Sequence, residues 1–376
     1  MLLSLLLLAF QGPSASLEAA PDLDGRILGL LTQYVEDGKP PAVSAGIVPP
    51  STTKAFAAGL ADRDRKDPAK PDSRFCAGST GKTFVAATVL QLVQEGKLHL
   101  EDYAGDVLGQ EPWFAHVPNG GELTVELLLR HRTGLERYEF SGEFTAALSA
   151  DPDRVWKPAE LVGFVLDHEP KFPAGSAFAY SDTNFILLGM IVERVTGNTL
   201  YAEVQRRFLG PLHLDATRPQ DGRTLPGLVN GYAGPSNPFG GTDAMLGADG
   251  RFAINPQFEW AGGGFVTSGG DLARWARALY EGDVLKPETR AKMVAGLDAP
   301  ELGRGMRYGL GCEIWSTEHG ECLGHSGFFP GYMTEMRYWP EKHAAVAVQV
   351  NTSQPRTLGK PLGVLCEELL ELALDR

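Results

Sequence analysis

Residues 76–96, CAGSTGKTFVAATVLQLVQEG, contain the pattern from which the fold can be worked out. The apolar residues of segment 83–94 recur at helical spacing and Gly96 follows as a stop signal, so this segment predicts a helix. Ser79 and Lys82 stand three residues apart at its start, which places a hydroxyl and an amine on one face of that helix. An amine in this position can take the hydroxyl proton and activate the oxygen as a nucleophile.

A second Ser-x-x-Lys pattern occurs at residues 51–54, in different surroundings. Two prolines precede it, and it lies between the apolar runs 42–48 and 55–60, which predicts a hairpin loop around Ser51. Because a solvated turn lacks the surroundings that an activated nucleophile needs, we assign that role to Ser79.

Two other motifs overlap the same residues. Residues 76–83 differ from a Walker A loop by one position, but the preceding segment 67–73 is charged and contains proline, so it does not predict the buried strand that a P-loop follows. Residues 77–81 approach the G-x-S-x-G nucleophile elbow, with Ala77 in the first place. The pattern along the chain lacks the strand–helix alternation of an α/β-hydrolase, and we disfavour both interpretations.

Two further strings follow the first in chain order: Tyr180-Ser181-Asp182, and then His325-Ser326-Gly327 close to the C-terminus. The order S-x-x-K, Y-x-N-like and K-T-G-like resembles the serine β-lactamase and penicillin-binding protein superfamily. A tyrosine in the second motif and His-x-Gly in the third are similar to the branch that contains D-alanyl-D-alanine carboxypeptidases, class C β-lactamases and family VIII esterases. Four longer segments extend the resemblance over most of the chain, and they are residues 127–135, 178–197, 262–273 and 325–332.

The pattern of apolar residues also predicts how the elements are arranged. Strands are predicted at 42–48, 55–60, 308–315, 322–323, 332–339 and 344–350, and helices at 27–35, 125–130, 185–195, 272–281 (with Asp271 as N-cap) and 362–374. Strands at both chain ends with helices between them indicate an α/β (α+β) fold in which one antiparallel sheet is built from the two termini. We expect a mostly helical lobe at roughly 102–282, inserted into a sheet lobe formed by 17–101 and 283–376. This is the layout that the resemblance implies.

Composition restricts the partners that we expect. The chain has 376 residues, 43% of them hydrophobic, with a formal net charge of −13. This charge argues against nucleic acid or an anionic membrane surface as a partner. No H-E-x-x-H motif or paired Cys/His spacing occurs, so we predict no metal and no other cofactor. The expected partner is a small-molecule ester, amide or peptide substrate.

The N-terminus predicts export. An apolar run at 2–10 is followed by Pro13 and small residues, which indicates a signal peptide over 1–16, a mature chain beginning near Leu17, and a secreted or periplasmic location. No Lys or Arg precedes Arg26, so the usual basic start of such a signal is missing. No cysteine follows the run, which argues against a lipoprotein anchor.

The four cysteines leave two alternatives open. Cys312 and Cys322 flank a polar segment between two apolar stretches and would be able to pair across a hairpin, or all four can be free thiols. Cys76 and Cys366 are predicted to be buried thiols.

The resemblance implies a role for each motif residue. Ser79 attacks a carbonyl to give an acyl-enzyme, with Lys82 as its base, and Tyr180 carries a proton between Ser79, Lys82 and the leaving group. The backbone N–H groups of Ser79 and Phe328 form the oxyanion hole.

The third motif is implied to bind the substrate. Ser326 hydrogen-bonds the ligand from the strand edge, beside Gly327. His325 stands where β-lactamases carry a cationic lysine, and the alternative for it is a histidine buried against the sheet.

The sequence departs from the family pattern where charge matters. Asp182 replaces the asparagine that is most common at this position, and a carboxylate near Lys82 favours the ammonium form and repels anionic substrates. Segment 308–323 contains Glu313 and two other glutamates but no Lys or Arg. Penicillins and D-alanyl peptides present a carboxylate that needs a cation, so we expect ester or neutral amide substrates instead.

The leading hypothesis is therefore an exported serine hydrolase, a carboxylesterase or a D-alanyl-D-alanine carboxypeptidase-like peptidase, with weak β-lactamase activity as a further possibility. A non-catalytic binding module that keeps the fold is the alternative, because Asp182 stands beside Lys82. A P-loop NTPase is a weaker alternative.

Overall fold

The computed structural model describes residues 22–38, 40–49, 53–235, 237 and 243–374. The signal peptide predicted at 1–16, the mature start predicted at Leu17, and Ser51 in the predicted hairpin loop lie outside the described residues. Among the residues that are described, no helix combines the length and the apolar character that crossing a membrane requires.

The sheet is antiparallel and is built from both ends of the chain. Its strands are β1 (Ala42–Val48), β2 (Lys54–Asp62), β3 (Asp67–Pro68), β7 (Leu297–Asp298), β8 (Arg307–Tyr308), β9 (Glu313–Thr317), β10 (Gly320–Phe329), β11 (Tyr332–Trp339) and β12 (Ala344–Val350). Their order is β3-β2-β1-β12-β11-β10-β9-β8-β7, and the two termini meet where Val43 of β1 pairs with Val350 of β12. The predicted fold class is confirmed.

A smaller sheet and the helices complete the fold. The small sheet contains β4 (Phe75–Cys76), β5 (Arg218–Pro219) and β6 (Phe265–Thr267). The helices are α1 (Leu23–Gly38), α2 (Lys82–Gln94), α3 (Ala104–Leu108), α4 (Val125–Leu129), α5 (Gly142–Ala150), α6 (Pro158–Val162), α7 (Asp182–Thr196), α8 (Leu200–Val204), α9 (Gly269–Tyr280), α10 (Pro287–Met293) and α11 (Leu362–Leu374).

Strands β1 and β12 are buried along their whole length because helices cover both faces of the sheet. On one face, side chains that alternate along these strands pack against the apolar sides of α1 and α11. On the other face α9 lies directly on β1, and a Cβ at Gly46 would overlap the backbone of Gly269. The close contact between these two glycines sets the depth at which the helix packs.

The remaining helices form a second packed layer around α7, which contacts α2, α3, α4 and α6. Helix α2 is buried on nearly all sides, and it packs against α7 and α8. Helix α9 falls within the range 102–282 that was assigned to the helical lobe, yet it packs on the sheet. The exact division into two lobes stays a prediction.

Several predicted elements differ from the structure in their boundaries. The strand predicted over 308–315 is interrupted, because the chain turns between β8 and β9 at Gly311, whose φ is +75°. The strand predicted at 322–323 is longer and extends through the third motif to Phe329. The N-cap of α9 is Ser268 and not Asp271: the Ser268 hydroxyl accepts from the backbone N–H of Asp271 at 3.2 Å.

The cysteines do not form the bridge that the sequence left open. All four are free and buried. Cys312 belongs to the core between the sheet and the central helices, whereas Cys322 belongs to the core beneath α1 and α11. The two thiols therefore lie on opposite faces of the sheet.

The backbone around Ser79 also decides between the overlapping motifs. A single 3₁₀ turn, Gly78–Gly81, leads into α2, and the short strand β4 before it pairs antiparallel with β6. P-loops and nucleophile elbows instead follow a strand of a parallel sheet. The structure excludes both alternatives.

Candidate functional site

The first and third motifs contact each other through two glycines. Gly78 has φ +54°, and a Cβ there would lie 2.6 Å from the backbone nitrogen of Phe328. A Cβ at Gly327 would overlap the carbonyl oxygen of Ala77 and lie 2.8 Å from the Thr80 hydroxyl. Neither position has room for a side chain. The turn that carries Ser79 therefore packs directly on β10, beside the backbone of Phe328, and two glycines make this close contact possible.

Lys82 is the first residue of α2, and its side chain is completely buried. Its Nζ lies 2.9 Å from Ser79 Oγ, forms an ion pair with Asp182, and donates to the carbonyl oxygen of Gly262. Two of these three neighbours only accept hydrogen bonds, so they can take two N–H bonds of the amine. The third direction points at Ser79 and suits either an N–H of the ammonium or the lone pair of the neutral amine.

Tyr180 completes this group from the loop before α7. Its ring lies 5.0 Å from Lys82 Nζ, and the side chain is only 7% exposed. Burial raises its pKa well above the ordinary value, although the nearby Ser79 hydroxyl acts in the opposite direction. No described residue forms a well-oriented hydrogen bond with the phenol oxygen, which is itself shielded from solvent.

His131 holds the tyrosine loop in place, a function that the sequence analysis did not assign. Its ring centroid lies 4.1 Å from that of Tyr180, and its carbonyl accepts from Ala179 N–H at 3.0 Å. Nδ1 faces two donors, the Ser181 N–H at 3.2 Å and the Asn184 amide at 3.0 Å, which assigns the ring proton to Nε2. Burial and the charge of Lys82 lower the pKa of His131, so it packs as a neutral ring.

Asp182 begins α7 and lies between two cations. It forms ion pairs with Lys82 and, at 2.8 Å, with Arg137 Nη2. Burial alone would raise the pKa of Asp182, but these two positive charges hold it below its ordinary value. The structure therefore brings Asp182 to Lys82, as the sequence predicts, and adds Arg137, which no sequence motif reveals.

Glu139 forms the outer part of this charged cluster. It accepts from Arg137 Nε at 2.6 Å, and its carboxyl lies near the carboxylate of Asp182. Burial and the charge of Asp182 raise the pKa of Glu139. The opposite shifts of the two pKa values favour a neutral Glu139 beside an ionised Asp182.

The third motif differs from the role implied for His325. This residue is completely buried, its Nε2 lies 3.0 Å from the Tyr308 hydroxyl, and burial lowers its pKa to about 3. A neutral histidine that lines neither cavity at Ser79 cannot replace a cationic lysine there. His325 is instead a histidine buried against the sheet, which was the alternative for it.

Ser326 and Gly327 do line the cleft beside Ser79. The backbone N–H and the hydroxyl of Ser326 both donate to Glu313, at 3.1 and 3.0 Å. Burial, with the nearby Glu335 second, raises the pKa of Glu313 to about 8. An acidic group thus occupies the side of the third motif where the family resemblance implies a cation.

Two cavities meet at Ser79. The first is a cleft of about 860 Å³ along the sheet, into which Glu301, Glu313 and Ser326 project. The second, of about 490 Å³, is mostly apolar, and its aromatic walls are formed by Phe140, Phe144, Phe258, Phe328 and Phe329. Three residues line both cavities, and they are Ser79, Arg137 and Phe328. An acyl group and a leaving group on opposite sides of Ser79 would each have a place to bind.

Within the described part of the chain, no cluster of three His, Cys, Asp or Glu side chains is suited to hold a metal ion.

Comparison with curated proteins gives relatives among hydrolases and penicillin-binding proteins. The unguisins hydrolase ungD' of Aspergillus campestris is 26% identical over 352 residues, which cover 89% of this chain and 63% of the relative. Penicillin-binding protein 4* of Bacillus subtilis is 26% identical over 294 residues, which cover 74% of this chain and 60% of the relative. The chain thus spans about three fifths of the length of these relatives.

Among solved structures, the fold is similar to that of an amidohydrolase and of an amidase over nearly their whole length. A D-stereospecific amidohydrolase from Streptomyces sp. is 27% identical with a TM-score of 0.76, covering 94% of this chain and 98% of that one. The D-amino acid amidase from Ochrobactrum anthropi SV3, in its complex with L-phenylalanine amide, is 25% identical with a TM-score of 0.78 and the same coverage. The Beta-lactamase family model matches residues 27–363. The chain therefore belongs to the Beta-lactamase family and has the serine β-lactamase and penicillin-binding protein fold.

Proposed function

We propose that this protein is an exported hydrolase that cleaves an amide or ester bond through an acyl intermediate on Ser79. The observation that carries the proposal is the 2.9 Å contact between Lys82 Nζ and Ser79 Oγ, beside the buried phenol of Tyr180 and where two cavities meet. Export rests on the apolar run at residues 2–10.

In the acylation step, Ser79 Oγ forms a bond to the carbonyl carbon, and the carbonyl oxygen takes up negative charge beside the backbone N–H groups of Ser79 and Phe328. The Ser79 proton passes to Lys82, whose other N–H bonds are directed at Asp182 and Gly262. It then reaches the leaving amine or alcohol by way of Tyr180 as the C–N or C–O bond breaks. Water attacks the acyl-enzyme in the same way, and Ser79 recovers its proton when the acid departs.

The substrate that we propose carries an aromatic or similarly large apolar acyl group. The aromatic walls of the second cavity favour such a group over a small one such as acetyl. The D-amino acid amidase of Ochrobactrum anthropi SV3, which has been crystallised with L-phenylalanine amide and with D-phenylalanine, supports an amide of an aromatic amino acid as the first candidate. An ester of the same acyl group is the second.

Two measurements test this proposal. Mass spectrometry after treatment with a fluorophosphonate should show an adduct on Ser79, and the Ser79→Ala variant should remain unlabelled. Release of ammonia from D- and L-phenylalaninamide, and of nitrophenol from the nitrophenyl ester of 3-phenylpropanoate, should depend on Ser79. The Ser51→Ala variant is the matched control, because Ser51 belongs to the second Ser-x-x-Lys pattern. Labelling that survives Ser79→Ala would refute the proposal.

A non-catalytic binding module remains the second candidate. The ion pair of Asp182 with Lys82 favours it, because this contact engages the amine that must act as a base. Hydrolysis of the nitrophenyl ester of 3-phenylpropanoate separates the two candidates. A pure binder gives the same background rate with wild type and Ser79→Ala.

A further inference from the structure

Arg137 stands where the cleft and the apolar cavity meet, next to Ser79. Among the cationic side chains of the described residues, it alone lines both cavities. The side chain is 27% exposed, so part of the guanidinium faces the cavities. The third motif offers no cation, since His325 is buried and neutral. A positive charge therefore reaches the surroundings of Ser79 from Arg137 and not from the third motif.

The guanidinium is held in one orientation by the protein. Nε donates to Glu139 at 2.6 Å, Nη2 pairs with Asp182 at 2.8 Å, and the group lies 4.3 Å from the centre of the Phe140 ring. Because these contacts order the side chain before a ligand arrives, one more hydrogen bond costs little conformational entropy. Asp182 itself offers only acceptors, so Arg137 provides the hydrogen-bond donor at this corner of the site.

The remaining end of the guanidinium is Nη1. No described residue accepts a hydrogen bond from it, whereas Nε and Nη2 are both engaged. Hydrogen bonds from a charged donor to a carbonyl or carboxylate oxygen are among the stronger ones in proteins.

We propose that Arg137 is a substrate-binding residue whose Nη1 donates to an oxygen on the acyl group, either the carbonyl of an N-acyl substituent or a carboxylate. The proposal rests on the proposed function, in that the apolar part of the acyl group occupies the aromatic cavity. It adds a second requirement, an oxygen acceptor between that apolar part and the scissile carbonyl, and it makes Arg137 the residue that selects for this acceptor.

The test compares three nitrophenyl esters that share a phenyl group: 3-phenylpropanoate, N-acetyl-phenylalanine and N-succinyl-phenylalanine, the last two as both enantiomers. Apart from the scissile ester, the acyl group of the first has no hydrogen-bond acceptor, that of the second has an amide carbonyl, and that of the third has an amide carbonyl and a carboxylate. We compare wild type with Arg137→Met, which keeps much of the side-chain volume and removes the charge. Lys360→Met is the control. It removes a cation that pairs with Glu368 and lines the cleft but not the apolar cavity.

Relative to the 3-phenylpropanoate ester, Arg137→Met should lower kcat/KM for the two N-acyl esters by about ten- to a hundredfold, as loss of a charged hydrogen bond predicts. Lys360→Met should leave these ratios unchanged. An equal loss for the acetyl and succinyl esters identifies the carbonyl as the acceptor, and a larger loss for the succinyl ester identifies the carboxylate. An equal loss for all three esters would overturn the proposal, because Arg137 would then act only through Asp182.

Failure of the proposed function can be told apart from failure of this inference. If no ester shows Ser79-dependent turnover, calorimetry with the Ser79→Ala protein compares N-acetyl-phenylalaninamide with 3-phenylpropanamide. A preference for the former of about tenfold or more that disappears with Arg137→Met supports the role of Arg137 without catalysis, and no preference overturns it. If Arg137→Met does not fold, Arg137→Lys takes its place, since it keeps the charge and loses the planar arrangement of donors.

Discussion

The side chains of Lys82 and Asp182 form an ion pair from which solvent is almost excluded, with exposures of 0% and 7%. Breaking such a pair from one side is costly because the remaining charge is left buried. The pair also governs the proposed chemistry, since the amine that must accept the Ser79 proton lies against a carboxylate.

Replacing Asp182 by asparagine tests this relationship. Asp182→Asn removes the negative charge that lies against the amine proposed to accept the Ser79 proton, so the rise of kcat/KM with pH should begin at lower pH than in wild type. It should also improve acylation by penicillins, which carry a carboxylate, more than acylation by neutral esters. Initial rates for both substrate classes between pH 5 and pH 10 provide the measurement. An unchanged pH profile with equal effects on both substrates would show that the pair does not control the base.

Glu313 makes a prediction about stability and pH. Its pKa rises from the ordinary glutamate value of 4.5 to about 8 in the folded chain, so the native state holds this proton more tightly than the unfolded state. The stability that this tighter proton binding contributes to the native state is fully present below about pH 4.5 and is lost as pH rises through 8. Glu313→Gln should therefore reduce the fall in stability between pH 5 and pH 8 by an amount on the order of a few kcal/mol.

Urea denaturation at the two pH values measures this change. Glu318→Gln serves as the control, since Glu318 is exposed in the turn between β9 and β10. If the two variants have the same pH dependence, the proton is not held by Glu313.

Gly327 tests the contact between the first and third motifs. A methyl group there would overlap the Ala77 carbonyl and push the turn carrying Ser79 away from β10. Gly327→Ala should cost about 1–3 kcal/mol of stability and lower Ser79-dependent turnover much more than a neutral control substitution does. Gly163→Ala is that control, because its φ is −51° and its Cβ would meet nothing within 4 Å. Wild-type activity in Gly327→Ala would contradict the packing described above.

His131 should act on turnover through Tyr180. His131→Ala removes the ring beneath Tyr180 and leaves the donors of Ser181 and Asn184 without their acceptor. We expect a loss of about 2–5 kcal/mol in stability, from the cavity and the unsatisfied donors. In the protein that remains folded, kcat should fall more than KM rises, because Tyr180 would no longer be held beside Lys82. His131→Gln, which retains an acceptor, should recover part of both losses. Unchanged kcat in folded His131→Ala would show that His131 only stabilises the fold.

The cysteines provide a chemical test of the fold. All four should titrate as free thiols in denatured, unreduced protein, and none should react quickly in the native state because all are buried. Ellman's reagent with and without guanidinium chloride measures the number of reactive thiols in the denatured and in the native protein. Two reactive thiols on denaturation would indicate the Cys312–Cys322 bridge and would contradict the placement of these residues on opposite faces of the sheet.

Local patterns in the sequence predicted the elements well where one physical preference dominated. The strands at 42–48, 332–339 and 344–350 and the helix at 362–374 match the structure because apolar runs flanked by turn residues have few other conformations. The strand predicted over 308–315 was wrong because Gly309 and Gly311 allow a turn that hydropathy does not reveal. The N-cap of α9 was wrong because Asp271 instead accepts hydrogen bonds from Ala216 and Thr217, far away in the chain.

The sequence by itself determined the family, the antiparallel sheet built from both termini, and the presence of Ser79, Lys82, Tyr180 and Asp182 as one candidate group, because spacing and order carry that information. Only the tertiary structure decided the electrostatics around them. Arg137, Glu139 and Glu313 are ordinary charged residues in the sequence, and none stands at a diagnostic spacing from a motif. Their pKa values and partners depend on burial and on groups brought from other elements, such as the pairing of Asp182 with Arg137 and of Glu313 with Ser326. Desolvation and charge pairing are properties of the folded neighbourhood, which no local pattern specifies.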